Sequence, residues 1–359
     1  MKVDAHIRSA NTLLELYDGK TPFAGWLKEY FRKEKKFGSR DRRVVTQLCY
    51  GYFRLGGLLA DRDREERIRF AHELQSGDVT LPDDLLPAFP LLGHLSPEID
   101  TAAFLRAQLE QPDLFLRTRP GRHAPVRQKL EAAGIAFSEC APDCLALPNG
   151  SKIDEVIAID ADAVVQDRNS QRVLDSLVEI LEPGKAFSLW DCCAASGGKS
   201  ILAADRFPKV QLTASDVRES ILHNLRKRFG RAGITRYRSF VADVGASTFS
   251  FPHQFDVVLC DAPCSGSGTW GRTPEQLTYF TEDRIAYYAS LQRRIAVNAL
   301  QQVKKGGYFL YATCSVFAAE NEMNAALLQK ESGLSLVDAR YYRGYDQKAD
   351  TLYAALFRL

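Results

Sequence analysis

The sequence predicts an α/β protein built on a doubly wound, mostly parallel sheet, with a helical region ahead of it. Three observations carry this reading. From residue 187 onward, short apolar runs rich in β-branched and aromatic residues alternate with amphipathic stretches, the pattern of strands and crossover helices. Five of those runs end in an acid, a thiol or a cluster of small residues, which sets such groups at the carboxyl edge of the sheet. That edge is where open α/β sheets bind ligands. Residues 1–110 instead show helical periodicity punctuated by caps and glycine stops.

In chain order, "IRSANTLLELYDG" reads as a helix ending at a Gly stop, and "SRDRRVVTQLCYGYFRLGG" as one that starts at a Ser cap and ends at paired glycines. "DRDREERIRFAHEL" is a further helix. Pro and Gly cluster over 77–97, and "SPEIDTAAFLRAQLEQP" is a capped helix ending before Pro112. Residues 111–165 form a small α/β unit: the strand "DLFLRTRP", the helix "APVRQKLEAAGI" and short strands between 135 and 165. The third region, 166–359, opens with "VVQDRNSQRVLDSLVEIL" and then alternates strictly. Its strands are "AFSLWDCC", "QLTASD", "RSFVAD", "FDVVLCD" and "GYFLYATCS", with helices from 198, over 218–231, over 282–304 and from 320. The final runs, "LSLVDA" and "TLYAALFRL", have no helix between them, so one strand enters antiparallel.

Composition sets bounds. With 359 residues, 45% hydrophobic and 26% charged, the chain is an ordinary globular protein of two or three domains. It has neither the roughly 18 uninterrupted apolar residues of a membrane helix nor the apolar core of a signal peptide, which points to the cytoplasm. Eight cysteines, irregularly spaced, are read as reduced thiols, and without a C-x-x-C pair no structural metal is expected. Net charge is only +2, yet residues 1–55 carry twelve Lys and Arg against six acids, a local +6. Such a basic end suits a polyanionic partner, although a solvated helix face produces the same count.

Two stretches carry chemistry. In "LWDCCAASGGKS", residues 189–200, a strand gives way to a turn of small residues and a helix start, exposing backbone N–H groups. The turn is not a phosphate loop, because Cys193 stands at its first Gly position, and paired Gly197 and Gly198 alone do not make a dinucleotide fingerprint. Asp216 and Asp243 end the next two strands, where acids grip an adenosine's ribose and adenine amino group, so S-adenosylmethionine is the expected cofactor. Two further strands deliver Cys264, in "DAPCSGSG", and Cys314, in "YATCS", to the same edge. Either thiol alone reads as a small buried hydrophobe. Together, beside Asp261 and Lys199, they suggest catalysis. Cys192, Cys193 and Cys260 lie within apolar strand sequence and read chiefly as core.

"DCCAASGGKS", "DAPCSGSGTWGRTPE", "LQRRIAVNALQQVKKGGYFLYATCSVFAAENE" and "VVQDRNSQ" resemble the RsmB/Sun (Fmu) and NOP/Sun family of RNA cytosine-5 methyltransferases over about residues 110–359. "SRDRRVVTQLCYGYFR" more weakly resembles the NusB-like helical domain of RsmB-type enzymes. The resemblance implies a Rossmann-like class I methyltransferase sheet over 166–359, an RRM-like subdomain over 111–165 and a NusB-like RNA-binding region over 1–110. It implies that Cys314 is the nucleophile and Cys264 assists release, an assignment the residues alone leave open. Asp261 would contact cytosine and Lys199 would support the site. Cys193, Ala194, Ala195, Ser196, Gly197, Gly198, Lys199, Asp216, Asp243 and Asp261 would hold S-adenosylmethionine.

The chemistry explains why a thiol is needed. Carbon 5 of cytosine is a poor nucleophile until a thiolate adds to carbon 6. An unperturbed thiol, with a pKa of about 8.5, is only roughly 3% ionised at neutral pH, so a nearby cation helps. The expected partner is RNA, ribosomal in the first instance and transfer RNA in the second, engaged by a monomer through Arg272, Arg117 and Arg119, with Arg122 beside them. Two departures from the family pattern stand out: Ser196 replaces the usual Pro, loosening the turn, and Ile221-Leu222 replaces a frequent Arg-Leu. A non-catalytic RNA-binding or ribosome assembly factor is the competing reading, and the presence of both cysteines and Asp261 argues against it.

Overall fold

The structure, a computed structural model, describes residues 2–35, 37–81, 89, 91–182 and 184–359. The chain divides into two compact units: residues 1–95, 99–111 and 269–282 form one, and residues 96–98, 112–268 and 283–359 the other. The Pro- and Gly-rich connection expected over 77–97 lies in part outside the described residues.

The first unit is helical, with α1 Lys2–Leu16, α2 Phe23–Lys33, α3 Ser39–Arg54, α4 Arg64–Ser76 and α5 Thr101–Ala107. Its core joins Ile7, Leu14, Phe23, Leu27, Phe31, Leu48, Phe53 and Ile68. Helix α2 lies between the segments read as helices from sequence and was not assigned there. Phe23, Leu27 and Phe31 recur every four residues and are buried on one face, which outweighs the low propensity of Gly25. Ser39 proves to be the first residue of α3 rather than its cap, which is Gly38, whereas Asp63 does cap α4 by accepting from the Glu66 N–H. Helix α5 is shorter than expected and is capped by Asp100.

Segment 269–282 belongs to this unit, a departure from its expected place in the region 166–359. Polar and aromatic partners hold it there. The buried Glu275 carboxylate accepts the Phe23 N–H at 3.1 Å, and the Tyr279 hydroxyl donates to the Tyr17 carbonyl at 3.0 Å. Arg54, buried in α3, donates to the carbonyls of Gln108, Glu110 and Gly271.

The second unit begins with β1 Leu114–Thr118, α6 His123–Ala132, β2 Ser138–Ala141, β3 Cys144–Leu147 and β4 Ala163–Val165. These strands pair antiparallel in the order β2-β3-β1-β4, with one helix and a turn-rich connection over 148–162. There follow α7 Asp175–Ile180, β5 Phe187–Asp191, α8 Gly198–Arg206, β6 Val210–Asp216, α9 Glu219–Arg231, β7 Tyr237–Val241 and β8 Phe255–Asp261. After α10 Gln276–Tyr279, in the helical unit, come α11 Asp283–Leu300, β9 Val303–Thr313, α12 Glu322–Ser332, β10 Ser335–Tyr342 and β11 Leu352–Arg358. The seven-stranded order is β10-β11-β9-β8-β5-β6-β7. Only β11 runs against its neighbours, as the missing crossover helix requires.

This order fixes the site. From β5 the chain winds outward through β6 and β7, then returns to place β8 on the other side of β5. The switch point therefore lies between the carboxyl ends of β5 and β8, where such sheets open a crevice. Apolar layers cover both faces of the sheet, one around Trp190, Val258 and Phe309 and the other around Leu189, Leu259 and Leu310. Among the described residues no helix is long and apolar enough to cross a membrane.

Candidate active site

Strand β5 ends at Asp191, and the turn after it is held by the neighbouring strand. The Ala194 N–H donates to the Ser215 carbonyl at 2.9 Å and the Ala195 N–H to Asp216 Oδ2 at 3.1 Å. Ala195 and Gly197 both adopt positive φ, 46° and 84°. Gly197 is required here, because a Cβ would stand 2.7 Å from the Phe229 ring. Ser196 is pinned rather than loosened: Arg228 donates to its hydroxyl at 2.9 Å and is itself anchored on buried Asp160. Cys193 begins the turn half-buried, and Lys199 leaves it in the first turn of α8.

The acids line up along the sheet edge. Asp216, at the end of β6, accepts from the Arg218 N–H and guanidinium as well as from Ala195. Asp243, past β7, is exposed and accepts the Gly245 N–H at 3.0 Å. Asp261 ends β8 and pairs with the Lys199 ammonium at 2.7 Å. Burial pulls the Lys199 ammonium down, but the charge and hydrogen bond of Asp261, with a contribution from Cys314, overcome it and hold it above its ordinary range. The sequence reading missed Asp191. Its Oδ2 accepts from Ser200 at 2.7 Å, while the buried Oδ1 has no protein partner. Burial, opposed by that hydrogen bond, pushes this carboxyl up to about 7. An orphaned acceptor beside a strained turn, with acids at the ends of the next strands, fits a ligand rich in hydroxyl and amino donors such as S-adenosylmethionine.

Beyond β8 and β9 the two thiols meet. Cys264 Sγ and Cys314 Sγ are 3.2 Å apart, although 50 residues separate them. The hydrogen bond with Cys314 and then burial push the Cys264 thiol well up. The backbones interlock: the Gly268 N–H donates to the Cys314 carbonyl at 2.9 Å, and the Thr351 N–H donates to the Gly268 carbonyl at 2.9 Å. A Cβ at residue 268 would lie 2.0 Å from the Thr351 oxygen, so only glycine permits this approach. Glu320, fully buried and also missed from sequence, ties the same loops. Its carboxylate accepts from the Ser265 N–H, Gln292 Nε2 and the Ser315 hydroxyl at 2.8–2.9 Å. The only sequence signal was an acid run, "AAENE", just past the second thiol.

Arg117 is corrected. Its side chain is 2% exposed, ion-paired with Asp205 and hydrogen-bonded to Gln166, so it braces the small sheet and has no face for a phosphate. Arg119, 14% exposed, is likewise spent on Asp205 and on the Asp160 and Ala232 carbonyls. Both lie inside the α/β unit because the small sheet packs as part of it. Arg122 is more open, 56% exposed. Arg272 lies on the segment that joins the helical unit, with its N–H donating to the Thr269 carbonyl at 2.8 Å.

Three solved structures share the fold: PH0851 (TM-score 0.73, 22% identity, covering 92% of this chain and 93% of that one), a methyltransferase homolog from Pyrococcus horikoshii (0.62, 20%, 87% and 98%) and NSun6 from Pyrococcus horikoshii with SFG (0.61, 14%, 72% and 94%). Among curated proteins, the ribosomal RNA small subunit methyltransferase B of Yersinia enterocolitica is 30% identical over 246 residues, 65% of this chain and 55% of that protein. That of Vibrio cholerae is 32% identical over 245 residues, 65% and 54%. The chain thus spans about half the length of the curated relatives it matches. Residues 178–353 match the family described as 16S rRNA methyltransferase RsmB/F. That segment, which contains both thiols, Asp261 and the turn after β5, is similar to the RsmB/F methyltransferase family.

Proposed function

We propose that the protein is an S-adenosylmethionine-dependent RNA cytosine-5 methyltransferase acting on ribosomal RNA of the small subunit. The observation that carries this is the thiol pair, 3.2 Å apart at the sheet edge beside the Asp261–Lys199 ion pair. When bound, S-adenosylmethionine supplies an electrophilic sulfonium methyl. The turn 193–199, with Asp191, Asp216 and Asp243, would hold it. Cys314 adds to carbon 6 of the target cytosine, next to the Asp261–Lys199 ion pair. Asp261 meets ring nitrogen 3, where charge accumulates. Cys264 remains a thiol while Cys314 attacks, since its hydrogen bond to Cys314 and its burial oppose ionisation. After methylation the carbon-5 proton leaves and the bond between Cys314 and carbon 6 breaks, with Cys264 assisting. Ribosomal RNA is favoured over transfer RNA by the relatives' names, and the basic amino-terminal helices suit either polyanion.

The test separates the thiols. Cys314→Ser should abolish both methyl transfer and any covalent RNA adduct. Cys264→Ala should accumulate a protein–RNA species that survives denaturation when small-subunit RNA and donor are supplied, and adding Cys314→Ser should erase it. Trapping by Cys314→Ser instead would reverse the roles, and normal turnover by both variants would end the covalent reading.

A further inference from the structure

Three thiols outside the catalytic pair converge at one point. Beyond Asp191 the alternation of β5 lapses, and the sulfurs of adjacent Cys192 and Cys193 lie only 4.0 Å apart. The Cys192 N–H donates to the Leu259 carbonyl at 2.9 Å, which brings Cys260, the next residue on β8, alongside. All three sulfurs lie within 4.8 Å of one another. Cys192 and Cys260 are 1% and 0% exposed amid Trp190, Val244 and Ala262, while Cys193 is half-buried and forms the open side.

An ion held by thiolates at about 2.3 Å spaces its sulfurs roughly 3.5–4 Å apart, so the widest pair must close by about 1 Å. Charge then selects the ion. Three thiolates around a monovalent soft cation leave two net negative charges, and around zinc one, with the fourth position of its tetrahedron unfilled. Cys192 and Cys260 are buried among apolar side chains, and the Lys199 ammonium, the nearby cation, is committed to Asp261. A buried anionic complex is therefore disfavoured. Trivalent arsenic escapes this penalty. Arsenous acid, As(OH)3, reacts with three thiols by breaking three As–O bonds and forming three As–S bonds. Each thiol proton leaves with a hydroxide as water, arsenic stays trivalent, and the product is neutral.

We propose that Cys192, Cys193 and Cys260 form a trithiol site that captures one trivalent arsenic per chain as arsenite. The site is independent of the methyl-transfer reading, though it would clamp the first residue of the proposed donor turn. The experiment uses the full-length Cys264→Ala/Cys314→Ala protein, which removes the other close thiol pair, titrated with sodium arsenite. Native mass spectrometry should show one arsenic added with three protons lost, together with a near-ultraviolet arsenic–thiolate absorption. Adding Cys260→Val, or separately Cys192→Ala, should remove both signals, while circular dichroism and calorimetric binding of S-adenosylhomocysteine report whether those variants are folded. Should they fail to fold, pulse alkylation of the Cys264→Ala/Cys314→Ala protein in urea, which transiently exposes buried Cys192 and Cys260, decides: arsenite should protect Cys192, Cys193 and Cys260 together. The proposal is overturned by no arsenic uptake in that protein, by undiminished uptake in folded Cys260→Val, or by no joint protection.

Discussion

Replacing Glu320 tests whether the two thiol loops are held by hydrogen bonds or by a charge. In Glu320→Ala the Ser265 N–H and one hydrogen of the Gln292 amide lose this acceptor in a fully buried place, Gln292 keeping the Pro263 carbonyl, while the Ser315 hydroxyl keeps Ser265 and Ser267 as partners. Two orphaned donors, at about 1–3 kcal/mol each, predict a loss of roughly 2–6 kcal/mol in unfolding free energy. The catalytic effect should exceed what stability alone suggests, because Ser265 and Ser315 are each adjacent to a thiol. A misplacement of about 1 Å at reacting groups costs on the order of a hundredfold in rate. Glu320→Gln keeps one oxygen for Ser265 and Gln292 and offers an amide to Ser315, whose hydroxyl can turn to accept, so its penalty should be only about 1 kcal/mol. The assay pairs chemical denaturation with steady-state methyl transfer. For Glu320→Ala, kcat should fall about a hundredfold and KM for S-adenosylmethionine should stay within roughly twofold, whereas Glu320→Gln should retain at least about a tenth of kcat. Wild-type turnover in Glu320→Ala would refute the positioning argument. Equal damage from both substitutions would show that the charge matters and not the hydrogen bonds.

Three other outcomes are expected. Gly197→Ala, forced into positive φ with its Cβ 2.7 Å from Phe229, should destabilise the protein by about 1–3 kcal/mol and weaken S-adenosylhomocysteine binding in calorimetry. Asp191 is neutral in the folded protein up to about pH 7 but ionises far lower when unfolded, so the unfolded state sheds the proton first and stability falls as the pH rises. Between about pH 5 and pH 8 this should remove roughly 2–3 kcal/mol, a slope that Asp191→Asn should flatten in urea titrations. Arg117→Met leaves Asp205 with Arg119 alone and should cost about 3 kcal/mol of stability, while filter binding of RNA below the unfolding temperature stays unchanged; weaker RNA binding by the folded variant would restore Arg117 to the substrate interface.

What the sequence made legible depended on range. Strand ends in the alternating half are local events: an apolar run stops at Asp216 or Asp261, and the fold's winding places those ends on one edge. The antiparallel entry of β11 followed from the missing helix before it. Features that rest on distant partners were not legible. Segment 269–282 reads as catalytic loop until Glu275 is seen accepting from Phe23, 252 residues away. Arg117 looks like a surface cation because Asp205, which buries it, lies 88 residues downstream. Helix α2 was not assigned from sequence; its helical form rests on the burial of Phe23, Leu27 and Phe31 on one face, which outweighs the low propensity of Gly25. Asp191 and Glu320 escaped because an acid at a strand end or in a polar run is common, and only burial and an orphaned or triply engaged carboxylate mark them as special.

Burial of Glu320 also bears on how the thiol pair comes to be ready. A carboxylate inside a protein is costly unless its donors are fixed, and here they come from both thiol loops and from α11, through Gln292. Ser265, Ser267 and Ser315 close the remaining valences among themselves at 3.0–3.1 Å. Such a network is stable only when every member is satisfied, so neither loop can shift without exposing a buried donor. The separation of Cys264 and Cys314 is therefore set by the polar cluster behind them and by the Gly268 contact, independently of any ligand. Held this way, the pair meets its substrate with little reorganisation.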